Sequence, residues 1–503
     1  MNRFLAALGD RINPIVVKET RQAVSSRLVA GFLLLFLAIE LAVVLLMITA
    51  REASSADQMD LRAGREIFSI VQGILLGTCM ILIPTMTAMR LASERSDVNV
   101  DLLFISSLSP RSVLSGKLFA AAALALVIFS AAAPFMTFAY VMRGLDVPTI
   151  FIVLLADFLA VLVATSFLLL IASMPAPRGI RIILGLMGFI AVCWMGAGLL
   201  AASSNFLRYG GGYDTTSREF WLGVAGLTLA ILGGIGLFFV WAVALVSPPA
   251  ANRAFGVRVY TIGLWLVEAA LCGIWSWWIA RPEPMVVWGF VGTLWFSLQM
   301  LIAICERDSW GPRVTRRIPR NPLLWLPALL FYSGAAGGLL FAVLGCLLSI
   351  VGMAFWSEVI PNPRGMARSD FGSEAIEVAC LIAGYTFCYS MTAVLFRRLF
   401  SGSAFRIGYT WLVAGILFGL GCTIPFIFRF AFISNRNYGY PEDTMWLYLP
   451  NPVVIIEYAT ARSKPDLGLA FGFLTLWAAA ATLTNITWIV KQVGSFRRRE
   501  SES

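Results

Sequence analysis

The chain has 503 residues, of which 59% are hydrophobic and only 13% charged, with a net charge of +10 and no histidine. A soluble domain carries about 25% charged residues, so this composition excludes an ordinary globular domain and points to an all-α polytopic membrane protein. The absence of histidine also removes Ser-His-Asp and Cys-His nucleophilic systems, HExxH zinc sites and histidine proton relays.

In chain order, the N-terminus reads as lacking a cleaved signal, because Arg3, Asp10, Arg11, Lys18 and Glu19 interrupt any early apolar core. From Pro14 to about Arg27 the spacing predicts an amphipathic helix lying on a membrane surface, the core of an interfacial segment over residues 1–27. Val16, Val17, Thr20, Ala23, Val24 and Leu28 fall on one side, and Lys18, Glu19, Gln22, Ser25 and Ser26 on the other. Its candidate site residues are Pro14, Lys18, Glu19 and Arg21; the bland alternative is a positively charged flank of the first span.

A bilayer crossing needs ~20 apolar residues. Twelve runs qualify: 28–50, 67–89, 118–140, 150–174, 180–202, 220–246, 259–279, 285–305, 323–353, 375–395, 410–433 and 467–490. The run from Leu323 is long enough to include an interfacial piece. The first six spans define a unit over 28–250 and the last six a unit over 251–503. Loops on the side of both termini carry most of the 38 Lys and Arg residues, so both termini are read as cytoplasmic. The net positive charge then reflects orientation toward anionic lipid and gives no sign of nucleic-acid binding.

Between the second and third spans lies the most distinctive stretch, Arg90 to Leu118. Asn99 is placed to cap a short surface helix, and Asp101 in its first turn suits the positive end of the helix dipole. Ser109-Pro110 is a cap followed by proline at the first helical position, so a new helix starts there. Lys117 is placed where its amine reaches water while its stem lies in lipid.

This stretch resembles the first cytoplasmic loop of the membrane subunit of type-2 ABC exporters. Glu94-Arg95 match the family's opening Glu-Arg, Asp101-Leu102-Leu103 its acidic-Leu-Leu, Leu108-Ser109-Pro110-Arg111 its Leu-Ser-Pro-Arg, and Gly116-Lys117-Leu118 its Gly-Lys-Leu. Val98-Asn99 depart from the usual Gly-Thr, and Ser107 replaces the usual proline. Asn13-Pro14, running through Lys18-Glu19 and Arg21 into a first span, is a second match. The resemblance implies a permease subunit in a bacterial cytoplasmic (inner) membrane. Glu94, Arg95, Asp101, Ser109, Pro110 and Arg111 would then form a coupling surface for a separate ATPase subunit. A second permease chain is a further expected partner, unless the two halves of this chain replace the usual homodimer. The transported substrate is not named by any motif.

Glu306-Arg307 follows the second span of the second half as Glu94-Arg95 follows that of the first, a hint of a repeat. Within spans lie Glu40, Asp157, Glu268 and Arg429. Intramembrane charge costs at least ~2.5 kcal/mol, so each is read either as a pathway contact or as a packing pair, an acid with Arg429 or with a hydroxyl such as that of Thr165. Gly334 to Gly338 offers a small-residue packing surface. Pro441 to Ala461, before the last span, reads either as a partly inserted helix or as an amphipathic surface helix.

No GxxxxGK[ST] phosphate loop exists, since Gly116-Lys117 has Arg111 where the first glycine belongs. ATP is therefore expected on the partner, and no cofactor, metal or enzymatic activity on this chain. The eight cysteines show no CxxC pair and read as small core hydrophobes. Two further functions stay open at this level. One is an ion-driven secondary transporter using Glu40, Asp157 or Glu268; the other is a polytopic membrane enzyme.

Overall fold

The computed structural model describes residues 14–53, 63–94, 109–142, 144–209, 217–248, 251–310, 312–316, 318–319, 321–359, 370–400, 407–432, 445–460 and 467–496. Among them there is no strand, and twelve helices are long and apolar enough to cross a membrane. Their outward surfaces are apolar: on the first span alone Leu34, Leu35, Leu41, Leu45 and Leu46 are exposed. Water penalises such a surface, whereas hydrocarbon accepts it and leaves helix as the way to satisfy the backbone. The chain is an all-α polytopic membrane protein.

It divides into two compact units, Met1–Pro248 and Pro249–Ser503. Unit 1 contains α1 (Pro14–Val24), α2 (Arg27–Ala53), α3 (Ala63–Glu94), α4 (Pro110–Val141), α5 (Val147–Ala172), α6 (Arg178–Tyr209) and α7 (Arg218–Val246). Unit 2 begins with α8 (Arg253–Ile279), α9 (Glu283–Ala303), the single turn α10 (Pro312–Thr315), α11 (Pro322–Phe331), α12 (Ala335–Val359) and α13 (Asp370–Leu399). A 3-10 turn, Ile407–Tyr409, then leads into α14 (Thr410–Phe432), α15 (Met445–Tyr448), α16 (Pro452–Ala459) and α17 (Gly468–Ser495).

Helix starts follow local chemistry. Ser109 accepts from the Ser112 N–H with Pro110 as the first helical residue, as the sequence predicts. Asn321-Pro322 and Asn451-Pro452 repeat that arrangement. In each case a polar cap satisfies free N–H groups and proline occupies a position whose N–H is not needed.

The units share one packing scheme. In unit 1 the second span, α3, packs on α2, α4, α5 and α6, and the fourth, α5, on α4, α6 and α7. In unit 2 the second span, α9, packs on α8, α12, α13 and α14, and the fourth, α13, on α12, α14 and α17. The unit 1 core centres on Phe68, Val71, Leu75, Leu76, Cys79 and Ile83 of α3.

The α9–α12 crossing depends on glycine. A Cβ at Gly289 would meet Met353, one at Gly345 would meet the Phe296 ring, and one at Gly352 would meet Trp288. The stretch read as a small-residue surface behaves alike: Gly337 faces the Leu329 carbonyl and Gly338 the Arg258 guanidinium.

Three predicted elements change. The span from Leu323 breaks into α11 and α12 at Tyr332-Ser333-Gly334, so the interfacial piece is α11. The break is held because Arg258 donates to the Leu330 and Tyr332 carbonyls while Asn252 accepts from the Ser333 N–H and hydroxyl. The interfacial helix stops at Val24 instead of about Arg27, and its inward side carries Glu19 while Val17 faces out. Of the stretch from Pro441 to Ala461, residues 445–460 are described and hold two short helices, α15 and α16, with Tyr448, Asn451, Ile455 and Ala459 fully buried and Trp446, Val453 and Glu457 exposed.

Replacing Gly345 by Leu forces a branched side chain into the Phe296 ring. It is expected to lower the stability of the detergent-solubilised protein by about 1–3 kcal/mol, read as a fall in unfolding temperature. The same change at Gly415, where a Cβ meets nothing, should leave that temperature unchanged.

Candidate functional site

In unit 1, α1 lies against α4, and Lys117 of α4 sits under it. The Lys117 amine donates to Glu19 Oε1 of α1 at 3.1 Å and to Glu94 Oε1, at the last residue of α3, at 2.8 Å. Arg90 of α3 lies 4.0 Å from the other Glu19 oxygen. Lys117 is 2% exposed, so its amine does not snorkel to water; two carboxylates replace that solvation. The junction thus ties the interfacial helix to the foot of α3, which leads straight into the predicted coupling stretch. Beside it a small surface slot is lined by Glu19, Met86, Arg90, Lys117 and Leu124.

Of the predicted coupling residues, Glu94 joins this junction, Ser109 caps α4, Pro110 is its first residue, and Arg111 is exposed. Arg95 and Asp101 lie outside the described residues, as does the surface helix expected between them. Pro14 opens α1, and Lys18 and Arg21 are exposed on it, so the helix keeps a basic outer side.

The intramembrane charges do not pair as anticipated. Asp157 of α5 accepts from the Gln72 amide at 3.2 and 3.0 Å, and that amide also donates to Ser203 at 3.0 Å. Its partner is therefore neither Arg429 nor Thr165, whose hydroxyl bonds back to the Val161 carbonyl. Arg429, in the other unit, donates to the Tyr448 hydroxyl at 3.1 Å. Glu40 is fully buried on α2, and neither of its oxygens finds a hydrogen bond among the described residues. Glu268 occupies the equivalent middle stretch of α8, the first span of unit 2, and its Oε2 is likewise unsatisfied.

Unit 2 contains a polar network that sequence reasoning missed. Glu306, just beyond α9, takes both its bonds from Arg258 at 2.6 Å and a third from the Gly334 N–H at 2.5 Å. Burial raises the Glu306 carboxyl above its ordinary range, while Arg258 and the Gly334 N–H pull it back down. Two residues on, Asp308 is held by Arg397 at 2.9 and 2.9 Å, by the Trp488 indole at 3.1 Å and by Gln492. Gln492 in turn accepts from the Ala336 N–H at 2.8 Å. The only sequence sign was the Glu-Arg dipeptide itself; Arg258 and Arg397 look like ordinary positive flanks of their spans.

Each unit therefore places a glutamate at the end of its second span against a buried cation, Glu94 on Lys117 and Glu306 on Arg258. Among the described residues no group of three His, Cys, Asp or Glu converges as a metal site would require. The arrangement is one of joints between helices. Comparison with protein-family models, curated proteins and solved structures gives no match.

Breaking the unit 2 pair from either end should be costly. Arg258→Met strands a buried carboxylate and two backbone carbonyls, and Glu306→Gln strands the buried Arg258 cation, so each is expected to cost about 3–5 kcal/mol. Unfolding in detergent at rising denaturant measures both; a loss of about 1 kcal/mol or less from either, as an exposed pair gives, would show that the pair is not the joint described.

Proposed function

We propose that this chain is the permease subunit of an ATP-driven exporter of the type-2 ABC kind, residing in a bacterial cytoplasmic membrane with both termini inside. It forms the translocation pathway, and a separate ATPase subunit binds and hydrolyses ATP. The reading is supported by the motif run from Glu94 through Leu118 together with the Lys117 junction, which is the observation that carries it. A push delivered to the stretch after Glu94 reaches α1 through Lys117 and reaches the span beneath it through α4 itself. This is a rigid-body shift of packed helices, which needs no catalytic residue in this chain. Its two units pack their six spans alike, which supports one chain serving in place of a pair of permease subunits; a second permease chain is the alternative.

One observation favours a second reading, an ion-driven transporter. Glu40 and Asp157 are both fully buried in unit 1, and Glu40 lacks any hydrogen-bond partner among the described residues. A membrane carboxyl left unmatched is by default a functional group.

Affinity capture of the detergent-solubilised chain from native membranes separates the readings. The wild type is expected to retain an ATPase, and Glu94→Lys/Arg111→Glu to lose it. No ATPase on the wild type, where a control permease keeps its own, moves the assignment to ion-driven transport. Lys117→Met is expected to keep the ATPase bound yet abolish the change in its hydrolysis rate that the wild-type permease produces in proteoliposomes. An unchanged rate effect would remove Lys117 from the coupling path.

A further inference from the structure

We propose that the described residues between 305 and 331 of unit 2 form a docking platform for anionic phospholipid, with Arg307 and Arg316 meeting the phosphates and Leu323, Leu324 and Leu326 entering the hydrocarbon. The inference rests on the membrane reading of the chain and is independent of what drives transport.

The stretch contains five arginines, at 307, 313, 316, 317 and 320, and two acids, Glu306 and Asp308. Both acids are turned inward, Glu306 onto Arg258 and Asp308 onto Arg397, Trp488 and Gln492. The segment therefore spends its negative charge on the bundle and keeps none to neutralise its own arginines. Arg307 and Arg316 are exposed and pair with no carboxylate among the described residues.

Apolar contacts fix the same segment to the unit from beneath. Trp310 meets the Phe496 ring edge-on at 5.0 Å, Ile318 is buried, and the Trp325 indole donates to the Phe496 carbonyl at 2.8 Å. What remains outward on α11 is a leucine ridge, Leu323 at 82%, Leu324 at 54% and Leu326 at 50% exposed.

Depth selects the occupant. Only Tyr332, Ser333 and Gly334 separate α11 from the span α12, so the ridge lies at the boundary of the hydrocarbon. A surface of leucines flanked by unneutralised arginines at that level matches acyl chains beneath anionic headgroups. A soluble protein partner reaches the arginines from water but not a ridge level with the acyl chains.

The test uses the purified full-length chain in detergent, titrated with phosphatidylglycerol or phosphatidylcholine while the unfolding temperature is read. Phosphatidylglycerol is expected to raise that temperature at concentrations where phosphatidylcholine does not. Arg307→Gln/Arg316→Gln should shift the half-effective phosphatidylglycerol concentration upward roughly 20-fold. Salt at about 0.5 M should do the same to the wild type. Arg281→Gln, at the other end of α9, should leave the response intact, and both variants should keep the wild-type elution profile. An equal response of the wild type to the two lipids, or an unchanged response in the double variant, overturns the proposal. Loss of a co-purifying protein from the double variant, with its lipid response intact, assigns the surface to a protein and overturns it too.

Discussion

Hydrocarbon offers the backbone no hydrogen bond, and the architecture of this chain follows from that constraint. Among the described residues, twelve long helices satisfy their own N–H and C=O groups and turn leucine, isoleucine and phenylalanine outward. Where the helix breaks, side chains from other spans take over. At residues 332–334 the freed groups go to Arg258, Asn252 and Glu306. At residues 449–451 the carbonyls of Leu449 and Pro450 accept from the Tyr385 and Tyr389 hydroxyls, and Asn451 both caps α16 and donates to the Cys422 carbonyl. At both breaks a neighbouring helix supplies the missing partner, because each unmatched group in a dry interior costs several kcal/mol, on the order of a lost hydrogen bond plus desolvation.

The same accounting explains the charged junctions. A buried ion pair is weak evidence for added stability but strong evidence for a defined arrangement, since removing either member strands the other. Lys117 has two carboxylates from two different helices, so it specifies where α1 rests and how the foot of α3 is held. Arg258 specifies the turn between α11 and α12. The units solve one problem, anchoring the end of the second span, with different cations on different helices: the third span in unit 1 and the first in unit 2. That difference limits the likeness of the units to their packing order and leaves these ends of the units chemically distinct. In unit 1 the joint lies beside a slot and includes Glu94, the last described residue before the predicted coupling stretch. In unit 2 the following segment is bolted down by Asp308, Trp310 and Trp325.

The buried acids Glu40 and Glu268, one on the first span of each unit, stand apart from both junctions. They belong to the interior of the spans, where a pathway or an ion site would be built, and the two proposed driving mechanisms differ chiefly in what they ask of Glu40.

Composition and hydrophobic run length alone determined the class of protein and the twelve crossings, because burial in a bilayer is a property of each segment by itself. Cap chemistry was equally local: Ser109-Pro110 marked the start of α4 because both residues act within one turn. The tertiary structure decided what is not local. It turned Glu19 inward and brought it to Lys117, 98 residues away, and it gave Asp157 to Gln72 in place of Arg429 or a hydroxyl such as that of Thr165. It split the run from Leu323 because Arg258, Asn252 and Glu306 could satisfy the broken backbone, a fact written on three other parts of the chain. Hydrophobicity sums along a helix and can be read there; the partner of a buried polar group depends on which helices meet, and only packing settles that.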